Sequence, residues 1–286
     1  MPKNIGILFV ASEAEPFIKT GTIGSIAGNL PKALKTLGHD IRVIIPGYSS
    51  ISPRKFQIHN LLRMKNIEVP IASTSVLADV RASYLCTETS KILIYFLSNE
   101  RYFNREGLYF HPETKKYFPD NDERFTFFCR GILESLKRLH WQPDIIHCND
   151  WQSALIPAYL KTIYKNDPYF KNIKTVFTIY NFAQFCAFPM SSFEKTGLPS
   201  QILKCNGKSD KELNFLKIGL TYADVITTYG NKVDLLKTKL CSNGLEKILQ
   251  KRNSKIVQIN QDTTTGKEAL ALQLLEIYRH LAKCSG

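Results

Sequence analysis

Residues 5–45 read IGILFVASEAEPFIKTGTIGSIAGNLPKALKTLGHDIRVII, and the change of hydrophobic period inside this stretch decides the fold. Ile5, Ile7, Leu8, Phe9 and Val10 form an apolar run of the length a fully buried strand needs. Polar Ser12, Glu13 and Glu15 mark the strand's carboxyl end, and a loop carrying Lys19 follows. Ile23, Ile26, Leu30, Ala33, Leu34 and Leu37 then recur at steps of three and four, one apolar face of a helix, with Gly38 where a C-terminal cap belongs. Ile41 to Ile45 is a second buried strand. Strand, helix and strand in this order make a right-handed βαβ unit, whose ligand crevice lies beyond the carboxyl ends of the strands. Lys19, Thr20, Gly21, Thr22 and Gly24 fall in that crevice.

The same alternation continues down the chain. Ser49 to Met64 is polar and aperiodic and reads as an excursion. Val76, Ala78, Val80 and Ala82 alternate with polar neighbours as a half-exposed strand does, and Ile92 to Leu97 is a buried one. From Ser98 to Asp120 the chain is aromatic without a period, which fits either a sugar-stacking surface or a surface loop anchored by its aromatics. Asp120 or Asp122 is placed to cap a helix carrying Phe125, Phe128, Ile132, Leu136 and Leu139. Ile145 and Ile146 lead a short strand ending at His147, Cys148, Asn149 and Asp150, with Trp151 opening a helix through Tyr164. Val176 to Ile179 and Val225 to Thr228 repeat the strand pattern. Helices over Val233 to Leu240 and Leu245 to Leu249, a strand over Ile256 to Ile259 and a helix near Lys267 to Lys283 complete the reading. The class is α/β, one mostly parallel sheet covered on both faces.

With 286 residues and 44% hydrophobic content the chain can bury a substantial core. Its amino terminus has no long apolar run after a basic start, and no run of about 18 apolar residues occurs anywhere, so the expectation is a cytoplasmic protein with no membrane partner. Seven cysteines without a C-x-x-C pair are expected to be reduced thiols. Cys148 beside His147 lacks two further ligands for a structural zinc and reads as a small buried hydrophobe. The net charge of +13 is spread without a basic cluster, an ordinary solvated surface with no nucleic-acid partner. A dinucleotide oxidoreductase is set aside, because the first βα loop lacks G-x-G-x-x-G and the second strand ends in Pro46, Gly47 and Tyr48.

FVASEAEPFIKTG (9–21) with LPKALKTLGHDIRVIIPGY (30–48) resembles the start of bacterial glycogen synthases and plant starch synthases, glucosyltransferases that use ADP-glucose. DNDERF (120–125), PDIIHCNDWQ (143–152), VFTIYN (176–181) and NFLKIGLTYADVITT (214–228) resemble later family blocks in the same order, so the resemblance covers about residues 5–230. It implies a single Rossmann-like domain over 1–286, corresponding to one half of a GT-B glycosyltransferase, with a short strand and helix at 255–283. ADP-glucose would be the donor substrate with no separate cofactor and no metal, and an α-1,4-glucan the acceptor. Lys19 matches the family lysine that contacts the donor's phosphates or the transferred glucose. Gly21, Asn181 and Asp150 are the other implied substrate-binding residues, although Asp150 also suits a helix cap.

The chain departs from the family pattern at identifiable places. K-T-G-G-L-x-D is KTGTIGS here, with Thr22 for the second glycine and Ser25 for the aspartate. In H-x-H-D-W-Q, Asn149 replaces the second histidine. H-N-L-A-Y-Q-G is YNFAQFC, so Tyr180 occupies the position of the histidine beside the transferred glucose, and a phenol cannot reproduce its contact. Cys186 replaces the final glycine of that block. The family's second domain, with its E-x7-E motif, has no counterpart in 286 residues. Glu268 and Glu276 have that spacing but lie on an amphipathic helix with Leu270, Leu272, Leu274 and Leu275 as its apolar positions. Two readings follow: an acceptor-side half completed by a donor-domain partner chain or an unusual dimer and inactive alone, or a glucan-binding or regulatory module without chemistry.

Overall fold

The structure, a computed structural model, describes residues 4–87, 89–180, 186–206, 211–229, 245–259 and 266–283. Its elements in chain order are β1 (Gly6–Val10), α1 (Thr22–Thr36), β2 (Asp40–Pro46), β3 (His59–Asn60), β4 (Ile67–Ile71), β5 (Thr74–Cys86), β6 (Lys91–Ser98), α2 (Glu100–Phe103) and α3 (Asn121–Arg138). They continue with β7 (Ile145–Asn149), α4 (Leu155–Lys161), β8 (Lys174–Ile179), β9 (Ala187–Pro189), α5 (Ser192–Thr196), α6 (Leu203–Asn206), β10 (Glu212–Asn214), α7 (Phe215–Tyr222) and β11 (Val225–Tyr229). The last described elements are α8 (Leu245–Lys251), β12 (Ile256–Ile259) and α9 (Gly266–Lys283).

One sheet runs β12-β11-β8-β7-β1-β2-β6-β5-β3, with β4 also on β5. From β12 to β6 every pairing is parallel, and the pairings of β5 with β6, β3 and β4 are antiparallel. The mostly parallel α/β sheet expected from the sequence is therefore what forms. β1 lies at its centre, with Ile7 opposite both Ile41 and Ile145. Both faces of β1 are covered, and Ile7, Leu8, Phe9 and Val10 are fully buried.

Strand alternation assigns the layers. His147 and Thr178 face α9, where Tyr278 meets His147 with ring centroids 5.8 Å apart. Phe177 faces α7, where a Cβ on Gly219 would lie 2.9 Å from the Phe177 ring and from Ala154. α1 is pressed against the loop after β1, since a Cβ on Gly28 would lie 2.2 Å from the Glu15 carbonyl oxygen. α1 ends as expected at Gly38, whose φ of +87° suits a residue without Cβ.

Several expectations are corrected. Asp120 stands at the N-cap of α3 without a side-chain cap bond, while Asp122 Oδ1 accepts from the first-turn N–H of Glu123 at 2.7 Å. The Asp120 carboxylate instead holds Arg105 through two contacts of 2.9 Å, a stronger ionic partner than a backbone N–H, and the second oxygen of Asp122 takes Lys195 at 2.8 Å. The helix expected from Trp151 to Tyr164 is a 3₁₀ turn, Trp151–Ser153, followed by α4. It closes at Lys161, where the Thr162 hydroxyl turns back onto the Ala158 carbonyl at 2.7 Å. Leu272 is not on the buried face of α9 and is 51% exposed. The helix expected over Val233 to Leu240 lies outside the described residues.

The aromatic segment after β6 resolves towards the anchored loop. Tyr102 and Phe103 are fully buried. Arg124, itself fully buried, donates to the carbonyls of Tyr102 at 2.8 Å and Leu108 at 3.0 Å, tying that segment to α3. Burial lowers its guanidinium to a pKa of about 10.

α9 packs back onto the sheet and α1 through Leu270, Ala271, Leu274, Leu275 and Tyr278, all buried. Leu274→Ala is expected to lower the unfolding free energy by about 3 kcal/mol, through lost transfer energy plus a cavity, and Leu272→Ala by less than about 0.5 kcal/mol. Urea denaturation of the two variants measures this, and equal effects would contradict the assigned face.

Candidate functional site

The parallel register brings the ends of β1, β7 and β8 side by side. Lys19 and Gly21 follow β1, Asp150 follows β7 and Tyr180 follows β8. Asn181 lies outside the described residues.

The loop after β1 is built on a carboxylate that the sequence reading used only to mark the end of a strand. Glu13 is 1% exposed. It accepts hydrogen bonds from the Thr20 backbone N–H, from the Thr20 hydroxyl at 2.7 Å and from the Tyr109 hydroxyl at 2.7 Å. The Tyr109 hydroxyl also lies 2.8 Å from Ser12 Oγ. Buried carboxyl oxygens need donors, so Thr20 is pinned and Lys19 and Gly21 are fixed on either side of it. Desolvation and Glu13 together push the Tyr109 phenol well above its ordinary value, so it remains a donor. The signal was present in the sequence as an acidic residue directly after a buried strand, but its partner is 96 positions away.

Lys19 is exposed and pairs with Glu15 at 3.2 Å, both side chains nearly half exposed. Such a pair contributes at most about 1 kcal/mol, so a ligand anion can take the ammonium from Glu15 at little cost. Gly21 is the N-cap of α1, with extended backbone, no side-chain cap bond and no acidic residue in the helix's first turn. A Cβ there would meet nothing within 4 Å, so the backbone faces open space. A helix amino terminus left this way offers N–H groups and partial positive charge to an anion. Gly24 closes the arrangement, since a Cβ on it would come 3.0 Å from Lys19 Cα.

Asp150 is held at φ 59° and ψ 179°, a conformation nearly restricted to glycine. Its backbone N–H donates to the Thr178 carbonyl at 2.9 Å. Its carboxylate accepts from the Trp151 N–H at 3.2 Å, the cap expected from the sequence. Burial raises its pKa to about 7, and that N–H opposes the rise. Cys186, beside it, is a buried thiol raised by desolvation to about 11.

The two positions that depart from the family histidines meet. The Tyr180 hydroxyl donates to Asn149 Oδ1 at 2.7 Å, and Asn149 Nδ2 donates to the carbonyl of Val10 at 2.8 Å. Tyr180 is thereby tied through Asn149 to the end of β1. His147 turns away from this edge. It is fully buried between the Tyr278 and Thr178 hydroxyls, and desolvation lowers its pKa to about 3, so it is a neutral core residue. Cys148 is buried with its thiol raised by desolvation. Among the described residues no group of three or more His, Cys, Asp or Glu is placed to hold a metal ion.

A model of the starch synthase catalytic domain matches residues 6–251. A glycogen synthase of Chlorobium luteolum is 38% identical over 253 residues, covering 88% of this chain and 51% of the relative. One of Pelodictyon phaeoclathratiforme is 36% identical over 259 residues, covering 90% and 52%. The catalytic domain of starch synthase IV from Arabidopsis thaliana bound to ADP and acarbose superimposes with a TM-score of 0.77 over 90% of this chain and 52% of that one. At 22% identity this last likeness shows the fold, that of one part of a GT-B glycosyltransferase. The chain belongs to the starch synthase catalytic domain family. It spans about half the length of the curated relatives it matches.

Two outcomes test this geometry. Tyr180→Phe should cost about 1–3 kcal/mol by leaving Asn149 Oδ1 without its donor, and the double variant Tyr180→Phe/Asn149→Ala should be less destabilised than the sum of the singles by about 1 kcal/mol. Additivity would show that the contact contributes nothing. For Asp150 the folded pKa, about 7, lies above the ordinary 3.8, so the native state keeps a proton that the unfolded chain releases and ionisation opposes folding. Relative to Asp150→Asn, the parent should lose stability as pH rises from 3.8 to about 7, with a constant gap above that range. Denaturation midpoints that track each other across this range would refute it.

Proposed function

We propose that the chain is the acceptor-side half of an ADP-glucose-dependent glucosyltransferase of the glycogen and starch synthase type, a single domain over residues 1–286 acting in the cytoplasm. In this role Lys19 and the open amino terminus of α1 meet the phosphates of ADP-glucose. Gly21 lets them approach the backbone, and Asp150 with Asn181 meets sugar hydroxyls. ADP-glucose is the donor, an α-1,4-glucan the acceptor, and no further cofactor takes part. What carries the proposal is the Glu13-anchored loop, which combines an exposed lysine, a glycine N-cap without a side-chain cap and a nearby strained carboxylate on one sheet edge.

The polypeptide of this sequence is expected not to transfer glucose by itself. Transfer requires groups that stabilise the departing diphosphate and a closed cleft that positions donor and acceptor. Lys19 alone cannot supply both, so the proposal requires a donor domain beyond residues 1–286, in the same or another polypeptide, to complete the site. The Tyr180–Asn149 bond favours a second reading, a glucan-binding module without chemistry, because the phenol's proton is spent inside the protein.

A radiolabelled transfer assay from ADP-glucose to maltooligosaccharide separates these. The purified chain should give background incorporation, and adding a separately expressed donor domain from a relative should raise it, with Lys19→Ala reversing the gain. Robust incorporation by the chain alone overturns the proposal. Glucan binding with no incorporation in either case selects the module.

A further inference from the structure

We propose that a cavity of about 320 Å³ at the carboxyl ends of β2 and β6 binds a free basic α-amino acid, a ligand unrelated to the glucosyl chemistry proposed above. Unlike charges share this cavity without meeting. Arg81, Asp79 and Glu100 all line it, yet among the described residues no ion pair joins the guanidinium to either carboxylate. A molecule that carries both signs bridges such a separation.

Sheet register sets the three groups apart. Asp79 and Arg81 are two apart on β5 and so share a face. Asp79 stands opposite Ser98 at the end of β6, and Glu100 opens α2 two residues further on. Each group is then held by a neighbour. Arg81 Nε donates to Ser98 Oγ at 3.3 Å, Asp79 Oδ1 accepts from the Asn66 N–H at 2.8 Å, and Glu100 Oε2 accepts from Asn104 Nδ2 at 2.7 Å. These bonds orient the three side chains and leave the Nη fork of Arg81, Asp79 Oδ2 and Glu100 Oε1 for a ligand, so less ordering remains to be done when it arrives. At the floor, a Cβ on Gly47 would collide with Ser98 Oγ, so the ends of β2 and β6 close on each other only because residue 47 has no side chain.

The chemistry of the free atoms selects the ligand. A planar guanidinium fork accepts an α-carboxylate in two parallel bonds, and Asp79 Oδ2 takes the α-ammonium beside it. Two carboxylates against one guanidinium leave an excess of negative charge, which disfavours phosphate and nucleotides. A basic amino acid offsets that excess by placing its side-chain cation on Glu100. Ile51 and Pro53, with buried Tyr48 behind them, offer apolar surface to the side-chain methylenes. The volume lies at the small end of the range for ligand pockets, roughly 300–1,000 Å³, and suits one amino acid better than a nucleotide sugar. Asp79 and Arg81 are half-buried and Glu100 is exposed, so the first two supply affinity and the last a smaller, solvent-screened preference for a cationic side chain.

Isothermal titration calorimetry on the full chain, with hydrogen exchange to locate the ligand, tests the proposal using L-lysine, L-norleucine, 1,5-diaminopentane and inorganic phosphate as probes. L-lysine should bind and slow exchange in segments 77–83 and 98–104. L-norleucine, which lacks the side-chain cation, should bind about threefold more weakly, the effect of one screened pair. 1,5-Diaminopentane, which lacks the carboxylate, should bind about tenfold more weakly, the loss expected for one charge-assisted contact. Arg81→Met, which keeps the apolar stem, should raise the L-lysine dissociation constant about tenfold, and so should Asp79→Asn, which keeps an acceptor for the Asn66 N–H and with it the local fold. Glu100→Gln should erase the preference for L-lysine over L-norleucine. Absence of L-lysine binding, or protection confined to other segments, overturns the proposal. Equal affinity for 1,5-diaminopentane overturns the role of Arg81, equal affinity for L-norleucine overturns the assignment to a basic amino acid, and protection of the same segments by phosphate overturns the pocket in favour of an anion site. The glucosyl-transfer assay is independent of all these outcomes.

Discussion

A parallel strand buried on both faces is the constraint from which the rest of the molecule follows. Parallel neighbours cannot be joined by tight turns, so the chain returns by long crossovers, through α1 between β1 and β2 and through the β3–β5 excursion between β2 and β6. With β1 between β2 and β7, all three strands end on one edge, and the loops that leave them meet there. Lys19, Asp150 and Tyr180 are distant in sequence and share an edge because the register of three parallel pairs leaves them nowhere else to go.

Polar groups at this edge divide by how their burial is compensated. Glu13 is buried and fully supplied with donors, and it organises the loop beside it. His147 is buried between two hydroxyls and stays neutral, so its contribution is to join α9 to the sheet. Asp150 is the exception: its carboxyl is desolvated, with the Trp151 N–H as its partner among the described residues, in a backbone conformation that residues with a Cβ avoid. Strain and a desolvated carboxyl at one residue support the binding role proposed for Asp150.

The sequence made the sheet legible because buried parallel strands are continuous apolar runs and because the helix between β1 and β2 has an unbroken period. It hid β4, where Ile67–Ile71 alternates over only five residues with Pro70 among them, and the three-residue pair β9 and β10, too short to carry a period. Lys19, Gly21 and Asp150 were legible by their position after strands. Glu13 and Tyr109 were not, because their pairing depends on a loop folding back over 96 residues. Asp120 had the right spacing for a cap, but Arg105 arrives through tertiary folding and a spacing rule cannot count it; Asp122 does take a first-turn N–H and adds Lys195.

Rigidity and availability are assigned to different residues of the same loop. Glu13 cannot exchange its partners without leaving buried polar oxygens unsatisfied, which would cost about 1–3 kcal/mol, so Thr20 and the backbone around it stay fixed. Lys19, one residue away, is held by a solvent-screened pair that a phosphate can displace. The helix N-terminus beside it carries no side-chain cap that must first be removed. The donor diphosphate proposed for this edge would therefore meet a preformed backbone and a cation held only by a solvent-screened pair, and little of its binding energy would be spent on reorganising the protein.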